Sequence, residues 1–186
     1  ISPSTTAQLF GVSAADATHA WAVGAGGVIA TTTDGVTWTR QVVGTDDLYA
    51  VAAADATNAW AVGNNGKVLR TTNGTTWNAP ATAIPTTNPL TGVTAPNAQT
   101  AYISRSVSRV YNTQDGGATW GSSTATSGNS LFGIAPPRSA GPTVVRVVGR
   151  FGYGFTSVDA GATWSGASNS NRFFYAVASS DAHYSW

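Results

Sequence analysis

Apolar residues come in this chain as short bursts, LFGVS, AWAVG and VIATT near its start, separated by breaks rich in Asp, Asn, Gly and Thr. Bursts of this length, rich in Val, Ile and aromatic residues and broken every 8 to 12 residues or so (about one turn signal per strand), predict β-strands. No window keeps the 3.6-residue period of an amphipathic helix. The bursts also repeat in a fixed order. Residues 9–38 and 48–77 align without a gap, 90–120 align with one inserted residue, and 131–164 carry a longer insertion around PPRSAGP. A fifth copy opens at Phe174 and runs to Trp186, level with Trp21 and Trp60. Successive copies start 39, 42, 41 and 43 residues apart. In the first copy the pattern predicts strand A over residues 9–13, strand B over Ala20–Gly24, strand C over Val28–Thr32 and strand D from Trp38.

A period near 40 residues with four strands per copy is that of one propeller blade. We therefore expect an all-β propeller region over residues 1–186, with blades at 9–47, 48–89, 90–130 and 131–173 and a partial fifth at 174–186. Residues 1–8 read as a polar edge strand. Two positions after each repeat start stand Gly11, Ala50, Gly92, Gly133 and Ala176, small side chains suited to crowding at a common axis. The neighbouring column, Phe10, Tyr49, Phe132 and Tyr175, is expected to fill the space between adjacent sheets. The C-to-D turns should form one rim, and the B-to-C turns and D-to-A links the other.

The C-to-D turns carry their own signature. TTDGVTW ends at Trp38, TTNGTTW at Trp77, TQDGGATW at Trp120 and SVDAGATW at Trp164. An Asp or Asn side chain accepts backbone N–H groups across such a turn, and Gly supplies backbone angles closed to other residues. Asp34, Asn73, Asp115 and Asp159, with Trp38, Trp77, Trp120 and Trp164, are thus read as structural. These residues resemble the BNR or Asp-box repeat, Ser/Thr-x-Asp-x-Gly-x-Thr-Trp, matched in full at 113–120 and 157–164. The wider string over 21–38 is similar to the photosystem II assembly and stability factor family of propellers. That resemblance implies a β-propeller. It does not imply one activity, because sialidases, xyloglucanases, sorting receptors and assembly factors share the repeat.

Composition narrows the chemistry. The chain has no Cys, eight acidic residues and nine Lys plus Arg, for a net charge of +1. Disulfides and thiolate metal sites are excluded, and so small a charge argues against nucleic-acid binding. No apolar run reaches the roughly 20 residues of a membrane span. The hydroxyl-rich, charge-poor composition predicts an extracellular, cell-surface or periplasm-like setting. The chain begins at Ile1, so an export signal is expected to lie upstream or to have been removed.

All eight acidic residues are Asp, and six of them have a repeat-based explanation: Asp34, Asp115 and Asp159 in turns, and Asp16, Asp55 and Asp181 in one column after strand A. Only Asp46 and Asp47 remain, adjacent in a loop where their side chains should diverge into solvent. A glycosidase needs two carboxylates facing one bond. No enzyme is expected, and no cofactor or metal, since His19 and His183 have no ligand-spaced neighbours and read as solvated loop residues. The departure from repetition is basic: residues 90–172 hold six Arg against two Asp, while 1–89 carry a net −2. Arg105, Arg109, Arg150, Phe151 and Tyr153 are the candidate partner-binding residues, with Arg105 and Arg150 expected at equivalent B-to-C turns. The expected function is a binding or assembly scaffold engaging a protein or glycan partner through this rim, for example an acidic peptide. The alternatives are a self-assembling surface element and a fragment of an Asp-box glycoside hydrolase. Four copies and a stub leave open edges, so a longer parent chain or a homo-oligomer is expected to complete the ring.

Overall fold

The computed structural model describes residues 6–125, 128–135, 144–167 and 171–178. It contains four antiparallel sheets, each from one repeat. The first holds β1 (Leu9–Ala14), β2 (Ala20–Gly24), β3 (Val28–Thr32) and β4 (Thr39–Val42), in that order. The second holds β5 (Leu48–Ala53), β6 (Ala59–Gly63) and β7 (Val68–Thr71). The third runs β8 (Leu90–Thr94), β9 (Ala101–Arg105), β10 (Arg109–Thr113) and β11 (Gly121–Thr124), and the fourth β12 (Leu131–Ala135), β13 (Val145–Gly149), β14 (Gly154–Ser157) and β15 (Ser165–Ala167). β1 packs beside β5, β5 beside β8 and β8 beside β12, so the first strand of each sheet lies innermost. This is the expected β-propeller arrangement. Small residues allow it: a Cβ added at Gly11 would stand 3.1 Å from the Ala50 Cα, and one at Gly133 would stand 3.0 Å from the Ala176 Cα. The start of the fifth repeat therefore lies along β12 as β5 lies along β1, although no strand is assigned there.

The cores lie between blades. Trp21, Val23 and Ile29 of blade 1 pack on Leu48, Val51, Ala61, Leu69 and Trp77 of blade 2. Trp60 and Val62 of blade 2 meet Leu90, Val93, Ile103 and Trp120 of blade 3, and Tyr102 and Val110 meet Leu131, Val145, Val147 and Trp164 of blade 4. Each turn indole therefore caps the joint with the preceding blade, a longer-range duty than covering its own turn. Trp38, first in the column, lines an apolar groove of about 400 Å³ with Leu9, Phe10, Val12 and Ala22 on the outer face of blade 1.

Three expectations change. Blade 2 has three strands. Its fourth shrinks to a single bridge between Arg70 and Asn78, because Pro80 follows at once and lacks the N–H a further pair needs. The aromatic column does not fill the space between sheets. Phe10, Tyr49 and Phe132 sit at the register shifts that separate Leu9 from Gly11, Leu48 from Ala50 and Leu131 from Gly133. A bulge re-aims a side chain, and these rings instead pair across blade boundaries at the surface: Phe10 with Tyr49 at 5.8 Å and Phe132 with Tyr175 at 5.2 Å. Finally, Arg105 and Arg150 are not equivalent. Leu90 pairs with Arg105 where Leu131 pairs with Gly149, so Arg105 ends a strand and Arg150 matches Ser106. The polar strand expected over 1–8, the PPRSAGP insertion, Asp181, His183 and Trp186 lie wholly or largely outside the described residues.

Candidate functional site

The C-to-D turns are built as the sequence suggests. Asp34 Oδ1 accepts the backbone N–H of Val36 at 2.8 Å and of Thr37 at 2.6 Å, with the Thr32 hydroxyl at 3.1 Å. Asn73 repeats the pattern with Thr75 and Thr76 at 3.0 and 2.8 Å, so one carbonyl oxygen suffices. In the longer turns Asp115 accepts from the backbone and hydroxyl of Thr119, and Asp159 from those of Thr163. Hydrogen bonds to the charged form favour it. Backbone bonds from Thr37 and Val36 lower the Asp34 pKa to about 2, and the Thr119 and Thr163 bonds lower Asp115 and Asp159 to about 2. Asp16 falls well below the usual range through Thr18 and His19, while Asp55 falls to about 2 as bonds from Asn58 and Thr57 outweigh its desolvation. None of these carboxylates is set up to carry a proton near neutral pH.

Backbone bonds fix which loops share a rim. Gly35 donates to Thr18, Gly74 to Thr57 and Gly116 to Gln99, tying each C-to-D turn to its A-to-B loop. Ala25 donates to Gln8, Asn64 to Asp47 and Arg150 to Ser130, tying the B-to-C turns to the D-to-A links. Charge follows this division. Asp16, Asp34, Asp55, Asp115 and Asp159 lie on the first rim with Arg70, and Arg105, Arg109, Arg150 and Lys67 on the second with Asp46 and Asp47. The sequence shows the bias only as a drift along the chain. In three dimensions it biases the first rim toward acidic and the second toward basic side chains.

On the basic rim the β13–β14 turn stands out. Gly26, Asn65 and Phe151 occupy the same position in blades 1, 2 and 4, each in the left-handed region, with φ of 64°, 53° and 58°. Gly and Asn enter that region readily, and a bulky side chain does not. Phe151 is nevertheless 38% exposed. The Arg150 guanidinium lies 4.7 Å from its ring centroid and 5.6 Å from that of Phe173. The rings continue as a stack: Phe151 to Phe173 at 6.3 Å, Phe173 to Tyr175 at 6.1 Å, then Tyr175 to Phe132. Bonds from Gly152 to Arg172 and from Phe174 to Gly149 hold the link against the turn. A guanidinium over aromatic faces keeps charge-assisted hydrogen-bond donors beside exposed apolar surface.

The predicted residues are only partly united there. Arg150 and Phe151 belong to the stack, and Tyr153 leans on Phe155 at 5.5 Å beside it. Arg105 and Arg109 flank the next turn: Arg105 Nε donates to the Val107 carbonyl at 3.0 Å, and Arg109 Nη1 to Ser122 Oγ at 3.2 Å. No hydrogen bond or ring contact joins the two groups among the described residues. Phe173 and Phe132 were missed because the link and the inner-strand bulge reach this turn only in three dimensions. Asp46 and Asp47 were also misjudged as free. Asp47 accepts the Gly26 N–H at 2.8 Å, while Asp46 accepts from Asn65 at 2.7 Å and lies 3.7 Å from Lys67 Nζ. His19 is similarly engaged, its Nδ1 standing 3.1 Å from Asp16. Among the described residues no three His, Asp, Glu or Cys side chains group as a metal site, and no helix is long and apolar enough to cross a membrane.

Comparison with known proteins agrees with the fold. The family model for the photosynthesis system II assembly factor YCF48, built on BNR repeats, matches residues 1–151. A search of curated proteins finds no match. Among solved structures, YCF48 bound to D1 peptide is similar with a TM-score of 0.72 and 21% identity, covering 96% of this chain and 59% of that one. YCF48 from Cyanidioschyzon merolae gives 0.71 and 22%, covering 95% and 62%. An ancestral GH74 enzyme gives 0.67 and 17% over 88% of this chain and 24% of its own. The chain thus spans about three-fifths of the length of the two YCF48 structures.

Proposed function

Given that the chain belongs to the YCF48 family of photosystem II assembly factors, we propose that it is a non-catalytic binding scaffold whose basic, aromatic rim takes an acidic segment of a partner protein. The observation that carries this reading is Phe151. A phenylalanine held in left-handed backbone and 38% exposed stands where the two earlier blades place Gly26 and Asn65, and its contacts with Phe173 and Arg150 only partly cover it. Strain of that kind points to function. The ring gives the Arg150 guanidinium an aromatic face and offers its other side to an apolar side chain, so an extended peptide alternating acidic and apolar residues matches the surface. A YCF48 structure described as bound to D1 peptide supports peptide binding by this kind of propeller. The engagement of the Asp side chains within turns and loops supports a role without catalysis, and the hydroxyl-rich composition supports a compartment outside the cytosol.

Fluorescence anisotropy with a labelled peptide of alternating Asp and Leu tests the reading. Binding should weaken as salt rises, and R150A should reduce affinity about tenfold, the scale of one charge-assisted hydrogen bond. R40A, a charge removed from the outermost strand of blade 1, should leave it unchanged. Equal affinity for R150A and R40A, or binding of oligogalacturonate with none of the peptide, would refute it.

A further inference from the structure

The opposite rim holds a cleft that the basic-rim reading does not use. It lies between blades 1 and 2, has a volume of about 380 Å³, and is lined by Thr31, Asp34, Thr37, Thr39 and Gln41 of blade 1 and Thr75 of blade 2. The lining is hydroxyl, amide and carboxylate. Arg40, between Thr39 and Gln41, points to the other face of β4 by strand alternation, so no cation lines the cleft. Thr31 is 93% buried (7% exposed), and its hydroxyl has no hydrogen-bond partner. A buried polar atom left unpaired is costly and calls for an explanation. Gln41 spends its Nε2 on the Thr75 carbonyl at 3.0 Å, which leaves its amide oxygen as an acceptor. The backbone N–H groups of Val36 and Thr37 and the Thr32 hydroxyl all donate to Asp34 Oδ1, and the Thr37 side chain adds a further bond to the carboxylate.

The next joint shows what such a position accommodates. Thr31 pairs with Trp21 across the sheet, and Arg70 pairs with Trp60, so Thr31 and Arg70 occupy one structural position. In the corresponding groove between blades 2 and 3, the Arg70 guanidinium lies 5.2 Å from the Trp60 ring centroid. Its Nη1 donates to the Gly116 carbonyl at 3.0 Å and its Nη2 to that of Ala98 at 2.9 Å. The chain supplies its own guanidinium at the second joint; at the first, Trp21 Nε1 donates to the Gly74 carbonyl, the counterpart of Gly116, and Thr31 brings only a hydroxyl.

We propose that the cleft between blades 1 and 2 receives an arginine side chain of a partner polypeptide. A guanidinium brings five donors, and the Thr31 hydroxyl, the Gln41 amide oxygen and the Asp34 carboxylate are able to accept them. The surrounding rim, with Asp16, Asp34 and Asp55 on these two blades, has the complementary charge. Binding here is independent of the basic rim.

Amide NMR titrations of the chain with N-acetyl-arginine amide test this directly. Shifts should centre on Thr31, Thr37, Gln41 and Thr75, with a Kd of about 1 mM for a single side chain. D34N keeps the turn, as Asn73 does natively, and should weaken binding about fivefold. T31R, which places a guanidinium there in cis, should abolish binding and raise the Tm. N-acetyl-citrulline amide, equal in shape but uncharged, should not bind. Unchanged affinity in a folded D34N, equal binding of the citrulline probe, or cellobiose shifting the same amides where arginine does not would each overturn the proposal. Free L-arginine binding tenfold more tightly than the blocked form would overturn its polypeptide source.

Discussion

Trp77 and Trp38 occupy the same repeat position and the same kind of turn, yet the structure assigns them different energies. Trp77 is 5% exposed inside the core between blades 1 and 2, and its Nε1 has no hydrogen-bond partner, so truncation removes packing alone. An indole buries about 150–250 Å², which at about 25 cal/mol per Å² gives an upper bound of about 4–6 kcal/mol. Measured large-to-small losses at such sites run about 3–5 kcal/mol. W77A should therefore cost about 3–4 kcal/mol, equivalent to a Tm drop of about 6–16 °C for a chain of this size. Trp38 lines an open groove and keeps more of its ring exposed than Trp77 does, so W38A should cost about 1 kcal/mol less than W77A by the same area argument. Urea unfolding followed by far-UV circular dichroism measures both without relying on the residue removed. A W38A loss equal to that of W77A would show that the indoles stabilise their own turns, and the joint account would fail.

Two further outcomes follow from the turns. Asp34, Asp115 and Asp159 titrate near 2 when folded against 3.8 when unfolded, so the stability they contribute is present above about pH 4 and lost as pH falls toward 2. D115N should lower stability at pH 7 and flatten the acid limb of a Tm-against-pH curve, and an unchanged limb would contradict the turn geometry. F151N should leave stability within about 1 kcal/mol of the parent, because relief of about 1–2 kcal/mol of left-handed strain offsets ring contacts worth about 0.5–1.5 kcal/mol. The same change should cut peptide affinity at least fivefold. A loss above about 2 kcal/mol in thermal unfolding would instead make Phe151 a core residue.

Much of the fold is legible in the sequence because each blade is a local meander whose strands, turns and rims follow from one repeated pattern. Strands B and C match their predicted limits in blade 1 to the residue. What the sequence hides is long-range. The indole of one blade packs into the joint with the preceding one, and Trp21 reaches across to donate to the Gly74 carbonyl at 2.9 Å. The Arg105–Arg150 equivalence failed for a local reason. In blades 1, 2 and 4 strand B ends in Gly24, Gly63 or Gly149, where an added Cβ would stand about 2 Å from a carbonyl oxygen (2.1, 1.9 and 2.0 Å). Blade 3 puts Arg105 there and forms no single 3-10 turn, so its turn is built differently and alignment by length misleads. The candidate site was half visible: Arg150, Phe151 and Tyr153 are close in sequence, but Phe173 and Phe132 join them only through the link and the bulge.

The most direct measurement is an amide NMR titration of the isotopically labelled chain with the acidic peptide used for anisotropy. The account predicts shifts confined to residues 149–153 and 172–175, on the rim opposite the Asp-bearing turns. Shifts clustered at Asp34, Asp115 or Asp159, or none at saturating peptide, would contradict it.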